Sequence, residues 1–143
     1  MRLWKVLMTF VFAALFAPAI LAQSPAGNWT AIDDQTGKKR AVIRLNVAGN
    51  TLTGTVVDVY PQPGDVGVCA KCPGNFKGKP VKGLRIIWGL KDKGNGEWEG
   101  GHILDPKSGK VYRAKMTLKG QKLYVRGYVG FSVLGRTQVW VRS

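Results

Sequence analysis

The chain has 143 residues, which suits one domain, and its 22 basic and eight acidic residues give a formal net charge of +14. The start is excluded from that domain. Arg2 and Lys5 form a short basic head, and residues 6–17 are an apolar run too short for an ordinary transmembrane helix. We therefore expect a cleaved signal peptide over residues 1–22 and a mature domain over residues 23–143. An uncleaved membrane anchor is the alternative.

The mature chain stays strongly basic. Removing the signal peptide removes two basic residues and no acidic one, so the net charge falls from +14 to +12. In a cytoplasmic chain this charge would indicate nucleic acid, but an exported chain meets phosphorylated lipid headgroups and acidic glycans first. We expect no nucleic-acid partner. A solvated basic surface without any partner is the alternative, and the scatter of lysines along the chain favours it.

The first half of the mature chain contains runs with the alternation of half-buried strands. Residues 29–32 predict a first strand, and residues 33–37 have the composition of a turn. Residues 40–47 are the clearest strand, and residues 52–60 predict another whose two faces are both mixed. One face of the clearest strand carries Ala41, Ile43, Leu45 and Val47.

A long segment without periodicity separates the two halves. Residues 61–83 hold four of the seven prolines and both cysteines, which predicts a long crossing loop. Strand patterns resume at 84–90, 97–104 and 111–118, and residues 122–142 form two further β-type runs joined through glycines. The run at 111–118 places on one side Tyr112, Ala114, Met116 and Leu118.

These runs make eight short strands, and no segment of the mature chain has helical spacing. Nearly every connection is too short for a crossover, which predicts antiparallel neighbours in up-and-down order. Such a sheet keeps two exposed edges unless it closes, and eight strands close around a filled core or one small ligand. We predict an all-β, antiparallel, up-and-down eight-stranded barrel, and we expect a monomer.

A tryptophan at the first strand and arginines around the last suggest how the barrel closes. Gly27, Asn28 and Trp29, with Arg136 and Arg142, resemble the lipocalin pattern in which an arginine covers a tryptophan near the barrel floor. A guanidinium stacked on an indole closes that end by cation–π contact and buried area. We assign barrel closure to Trp29 and Arg142.

A wider set of motifs runs along the predicted domain. The set consists of Trp29 with Asp34 and Thr36-Gly37-Lys38, the Cys69 and Cys72 loop with Lys79-Pro80 and Gly83-Leu84, residues 101–106 with Gly109-Lys110 and Tyr112, and residues 126–130 with residues 135–138 and Trp140. Together these motifs resemble an uncharacterised family of small exported proteins from Gram-negative bacteria, known as domain of unknown function 2147. The resemblance covers nearly the whole mature chain. It implies the periplasm and a lipocalin-like (calycin-like) barrel, and it brings no established activity.

The two cysteines, Cys69 and Cys72, form the motif with the most chemistry. A thioredoxin-type pair would begin a helix in a βαβ unit, which the pattern lacks, and a c-type haem site would need histidine where Pro73 stands. A zinc site needs about four ligands, and His102 is the only further good candidate. A structural disulfide in an oxidising compartment is the favoured interpretation, with a local role at the barrel rim.

Groups for catalysis are few. His102 is the single histidine, and no nucleophile elbow, phosphate loop or zinc-protease motif is present. Turn formation explains Asp33, Asp34 and Asp105, although a pair of carboxylates of glycosidase type stays open. We expect a protein that is not an enzyme and that holds no metal and no cofactor.

The aromatic residues either line a cavity or fill the core, and filling is the commoner case. With Arg126 and Arg136 near them, an apolar cavity with a cationic mouth would suit an acidic amphiphile such as a fatty acid or lipid fragment. The expected function is binding of a small apolar or amphiphilic ligand in the barrel. The alternative is an envelope protein acting through its basic surface on anionic lipid or glycan, and a hydrolase is a distant third. The candidate ligand-binding residues are Trp88, Trp98, Tyr112, Arg126, Tyr128 and Arg136.

Overall fold

The computed structural model describes residues 23–131 and 134–143. The predicted signal peptide, residues 1–22, lies outside them. The described chain forms a closed barrel in which each strand pairs with its neighbours in sequence, so the predicted up-and-down eight-stranded barrel is confirmed. The strands are β1 Gly27–Ile32, β2 Lys39–Ala48, β3 Thr51–Val59, β4 Arg85–Gly94, β5 Glu97–Leu104, β6 Val111–Lys119, β7 Lys122–Tyr128 and β8 Arg136–Arg142.

Pairing between the first and last strands closes the barrel. Trp29 of β1 lies opposite Arg142 of β8, and Thr30 lies opposite Val141. All strand pairs are antiparallel. Closure pairs the two outermost strands of the sheet with each other, which reduces the tendency of a free edge to pair with another chain. Within the described ranges, no helix has the length and apolar character needed to cross a membrane.

Large side chains fill the centre of the barrel. Several from different strands have 0% of their surface exposed, among them Leu52, Leu90, Met116 and Leu123. A side chain beside a void wide enough for water would keep accessible surface on that side. A side chain with 0% of its surface exposed is therefore in contact with other atoms of the protein on every side. Gly54 supports this, because a Cβ there would lie 2.9 Å from both a methyl of Leu45 and one of Ile87. The interior at this level is solid rather than hollow.

The up-and-down order gives the barrel two different ends. The lead-in to β1 and the tight turns β2–β3, β4–β5 and β6–β7 lie at one end, which we call the floor. The connections β1–β2, β3–β4, β5–β6 and β7–β8 lie at the other, which we call the open end. The longer connections all belong to the open end. Loop residues far apart in sequence are therefore brought to the same face.

The longest connection joins β3 to β4. The sequence analysis predicts a crossing loop here, and that prediction is wrong, because β3 and β4 are adjacent strands. The loop instead folds back over the side of the barrel, where its Phe76 stacks on Trp88. It contains a short 3₁₀ helix, Gly74–Phe76, and a bridge between Val68 and Pro80. Its backbone also lies against the β5–β6 turn, where a Cβ on Gly109 would clash with the carbonyl oxygen of Lys71.

Strands β4 and β5 are irregular, and this decides which side chains face inward. The register of β3 with β4 shifts on both sides of the Gly54–Ile87 pair. The register of β5 with β6 shifts between Trp98 and Gly101. A bulge adds one residue to a strand, so side chains beyond it point to the opposite face from the one that strict alternation predicts.

Candidate functional site

The floor is closed by Arg142 and Trp29. The guanidinium carbon of Arg142 lies 4.4 Å from the centre of the indole, which is completely buried. The indole Nε1 donates a hydrogen bond of 2.8 Å to the carbonyl of Pro25. The guanidinium of Arg142 thus makes a cation–π contact with the buried indole, and the carbonyl of Pro25 accepts a hydrogen bond from its one polar atom.

Two tryptophans fill the interior, and one of them, Trp98, is a predicted ligand-binding residue. Trp98 is buried and lies opposite Met116, and Trp140 is buried and lies opposite Leu123. The Nε1 of Trp140 donates to the Oε1 of Gln138 at 3.0 Å, so its polar atom is also satisfied. Both rings pack as core in the structure.

Tyr112 and Arg136 lie near the open end. Tyr112 is half-buried, and a Cβ on Gly127 would be 3.4 Å from its Cβ, which places it on the inner face. Arg136 donates two hydrogen bonds to Asp34 in the β1–β2 turn, of 2.6 and 3.1 Å. The hydrogen-bonded carboxylate raises the pKa of Arg136 above its usual value. The Arg136 charge is thus compensated by Asp34 instead of facing an acidic ligand.

Trp88 lies on the outer face of β4 and does not line a central cavity. Its register partner is the exposed His102, and the two rings stack with centroids 5.7 Å apart. Phe76 of the β3–β4 loop stacks on Trp88 at the same centroid distance, with 22° between the planes. The irregular register of β4 puts Ile87, not Trp88, on the inner face, which is why simple alternation misplaces this ring.

Tyr128 and Arg126 also face outward, on β7. Tyr128 lies opposite the exposed Arg113. Arg126 lies opposite Lys115, and its guanidinium donates a 2.8 Å hydrogen bond to the hydroxyl of Thr137. The six predicted ligand-binding residues are therefore divided among the core, the rim and the outer face. An apolar cavity with a cationic mouth, built from these six, is not what the structure forms.

Exposed apolar side chains lie in the loops of the open end. Val66 of the β3–β4 loop and Val129, Phe131 and Leu134 after β7 have between 66% and 76% of their surface exposed. They belong to two separate loops of the same end, and three of them, Val129, Phe131 and Leu134, lie close together in sequence. Exposed large apolar groups that adjoin one another are typical of interaction surfaces.

The same end carries basic residues without ionic partners. No lysine there forms an ion pair within residues 23–131 and 134–143. Lys38, Lys39, Lys107 and Lys110 lie in or beside the β1–β2 and β5–β6 turns. Lys71, Lys77, Lys79 and Lys82 belong to the β3–β4 loop, which starts and ends at this end and folds over the side of the barrel.

The carboxylates of the open end are occupied by local contacts. Asp33 accepts from the backbone N–H groups of Thr36 and Gln35 at 2.9 and 2.8 Å, and these hydrogen bonds lower the pKa of Asp33. Asp105 accepts from the N–H of Lys107 and from the hydroxyl of Ser108. The positive charge of this end is therefore not locally balanced.

Cys69 and Cys72 form a disulfide, as predicted, and both are buried. The backbone of Cys69 is held on both sides, donating to Lys79 at 2.8 Å and accepting from Gly78 at 3.0 Å. The disulfide therefore sits inside a loop that has its own hydrogen bonds. Within the described ranges, no group of three His, Cys, Asp or Glu side chains is arranged to hold a metal.

Residues 27–142 match a bacterial protein family described as "Uncharacterized protein conserved in bacteria (DUF2147)". The chain belongs to the DUF2147 family. Among solved structures, this DUF2147 chain is similar to protein HP1028 from Helicobacter pylori, which is described as a member of the lipocalin family. The TM-score is 0.71 with 15% identity, and 82% of each chain is covered, so the likeness shows a lipocalin-like fold. No curated protein matches the chain.

Proposed function

We propose that this DUF2147 protein is an exported, non-enzymatic protein of the bacterial envelope that binds anionic amphiphiles at the open end of its barrel. The observation that carries the proposal is the joint presence there of exposed apolar side chains and lysines without carboxylate partners. Export is supported by the basic head and apolar run at the start of the sequence. The lipocalin-like fold supports a ligand-binding role in general.

The filled interior favours the open end over the barrel centre as the binding surface. Leu52, Leu90 and Met116 are completely buried by other side chains, so an acyl chain entering at their level would have to displace them. Nearer the open end, Ile103 and Tyr112 of the inner face keep part of their surface exposed. A ligand contact at this rim requires no repacking of the core.

The charge and the apolar groups have complementary roles in this proposal. A basic residue near an anionic lipid surface contributes about 1 kcal/mol, and the attraction is weakened by salt. A large apolar side chain transferred from water contributes roughly 1.5–3 kcal/mol. Lys107 and Lys110 of the β5–β6 turn would supply attraction, while Phe131 and Leu134 would insert among acyl chains.

Vesicle co-sedimentation with protein purified after export tests the proposal. We expect binding to vesicles that contain phosphatidylglycerol, weaker binding in high salt, and little binding to pure phosphatidylcholine. Replacing Phe131 and Leu134 together by serine should lower the affinity about tenfold or more, since two apolar contacts are lost. Val141→Ser is the matched control, because Val141 is partly exposed on β8 near the floor.

A second titration distinguishes a bilayer from a single amphiphile. Dodecyl phosphate, used below the concentration at which it forms micelles, presents the same chemistry as a monomer. Chemical-shift changes around Tyr112 and Phe131 would identify the monomer as a ligand, whereas binding to vesicles alone would identify the bilayer. The proposal fails if neither probe binds, or if the double serine variant binds both probes as well as the unchanged protein does.

A further inference from the structure

A row of four side chains runs across the outer wall of the barrel. Trp88 pairs with His102, His102 pairs with Arg113, and Arg113 pairs with Tyr128, on four consecutive strands. Directly opposite residues of antiparallel strands project from the same face, so these side chains are lateral neighbours. We call them the outer-wall row. No step of the open-end proposal uses this row.

A cleft of about 270 Å³ lies beside the outer-wall row. The cleft lies where β5 is irregular, because Gly100 and Gly101 belong to its lining and the register of β5 with β6 shifts between Trp98 and Gly101. Gly100 has φ +82°, and a Cβ there would meet nothing within 4 Å. A Cβ on Gly101 would clash with the carbonyl oxygen of Trp88, so glycine is required there. The side chains that line the cleft are Lys93, Glu99, His102, Arg113 and Tyr128.

The cleft carries a net positive charge. Glu99 is compensated by Lys115, whose ammonium lies 3.1 Å from its carboxylate. The side chains of Lys93 and Arg113 form no ion pair or hydrogen bond within the described parts of the chain. Two cationic donors therefore face the cleft, and a guanidinium is suited to a carboxylate or phosphate group because it presents paired N–H donors.

The remaining lining residues indicate more than a simple anion. His102 and Tyr128 contribute aromatic rings, against which a flat apolar face packs with buried area and contact with the π-electrons. Glu99 is an acceptor, which repels an anionic group but accepts hydrogen bonds from hydroxyls. The volume is just below the roughly 300–1,000 Å³ of pockets for drug-sized ligands, which suits one ring rather than an oligomer.

We propose that this cleft binds an acidic sugar, meaning a single saccharide ring that carries a carboxylate or phosphate. Arg113 and Lys93 bind the acidic group, and the carboxylate of Glu99 accepts from ring hydroxyls. The ring of His102, itself supported by Trp88 at 5.7 Å, packs against the C–H face of the sugar. This site lies on the outer wall, and it is separate from the open-end surface and from any ligand of the barrel interior.

The test is an NMR titration of the exported protein with three probes: glucuronate, glucose and acetate. We expect glucuronate to shift the amide signals of residues 99–102, 113 and 128, and to bind about tenfold or more tightly than glucose or acetate, because each of these offers only part of the recognised chemistry. The proposal is overturned if glucuronate shifts none of these signals up to roughly 10 mM, the weak end of specific binding. It is also overturned if acetate binds as well as glucuronate.

Two variants test the roles of Arg113 and His102 in binding the sugar, and a third variant serves as the control. Arg113→Gln should weaken glucuronate binding about tenfold or more while glucose binding is unchanged, since only the acidic group is affected. His102→Ala should weaken both sugars. Arg85→Gln, an exposed strand arginine outside the cleft, should change neither. Equal losses from Arg113→Gln and Arg85→Gln would overturn the proposal. Vesicle binding should be the same in all three variants, which separates this site from the open end.

Discussion

Arg142 covers the buried indole of Trp29 at 4.4 Å and also donates hydrogen bonds to the carbonyls of Ser24 and Ala26, at 2.7 and 3.0 Å. One side chain of the last strand thus contacts the first strand and the segment that leads into it. These contacts are made at the floor, where the two strands that close the barrel meet. They connect the segment before the first strand of the barrel with the end of its last strand.

Arg142→Ala should lower the free energy of unfolding by roughly 2 kcal/mol. The change removes a cation–π contact of about 0.5–2 kcal/mol and two charge-assisted hydrogen bonds, part of which water replaces. Urea unfolding followed by tryptophan fluorescence measures the change as a lower midpoint at constant slope. Arg85→Ala is the control and should stay within about 0.5 kcal/mol, because Arg85 is an exposed strand residue. Equal losses from the two variants would contradict the closing role of Arg142.

Much of the fold was predictable because most strands alternate regularly. In β2 the inward residues Ile43 and Leu45 are the ones that the pattern predicts, and in β6 Ala114 and Met116 agree in the same way. A half-buried strand of period two leaves a strong signal wherever its register is unbroken. The sequence does not show which face of β3 points inward, because Gly54 carries no side chain to mark the inner face.

The candidate site was less predictable because β4 and β5 contain register shifts. Strict alternation groups His102 with Trp98 on one face, but the shift between Trp98 and Gly101 leaves His102 exposed and Trp98 buried. Trp88 is displaced from the inner face in the same way. The adjacent glycines, Gly100 and Gly101, were the available signal of a bulge.

Leu52→Ala should destabilise the protein by roughly 2–5 kcal/mol. Leu52 is completely buried opposite Leu90 in the solid centre, so truncation leaves a cavity that its neighbours fill only partly. Thr53→Ala, the next residue on the same strand and half-exposed, should cost less than about 1 kcal/mol. Chemical denaturation of both variants gives the comparison. A loss below about 1 kcal/mol for Leu52→Ala would contradict solid packing and favour a pre-existing cavity.

Asp33 should contribute an acid-sensitive part of the stability. Hydrogen bonds from the backbone N–H groups of Thr36 and Gln35 hold its pKa below the ordinary value of 3.8. A carboxyl with a depressed folded-state pKa stabilises the native protein above the unfolded value, and this contribution is lost as the pH falls through the folded value. The stability difference between the unchanged protein and Asp33→Asn should therefore narrow below about pH 3.8. Urea unfolding of both proteins from neutral to acid pH measures this difference in the free energy of unfolding. If the difference stays the same over the whole pH range, the Asp33 carboxylate does not supply the acid-sensitive stability.

Replacing Cys69 and Cys72 together by alanine should cost about 2 kcal/mol without unfolding the barrel. The cross-link closes a very short loop, and the chain-entropy model gives about this value for it. The backbone hydrogen bonds of Cys69 with Lys79 and Gly78 remain in the variant. Urea unfolding of the oxidised, reduced and alanine forms provides the measurement. Loss of the native circular dichroism spectrum at room temperature would show that the disulfide is required for folding rather than for local order.

Gly109→Ala should destabilise the protein more than Gly37→Ala, although the two glycines occupy equivalent turns. Each lies four residues after an aspartate to whose carbonyl it donates, with φ of +74° and +70°, so the cost of a left-handed alanine is the same in both. Around Gly37 a Cβ meets nothing within 4 Å, whereas at Gly109 it would clash with the carbonyl of Lys71 in the disulfide loop. We expect Gly109→Ala to lower the free energy of unfolding by about 1–3 kcal/mol more than Gly37→Ala does, which is the usual cost of overpacking.

The Cys69–Cys72 disulfide should also become reducible at lower concentrations of dithiothreitol in Gly109→Ala. Equal stability losses in the two variants would show that the contact between the β3–β4 loop and the β5–β6 turn does not hold in solution.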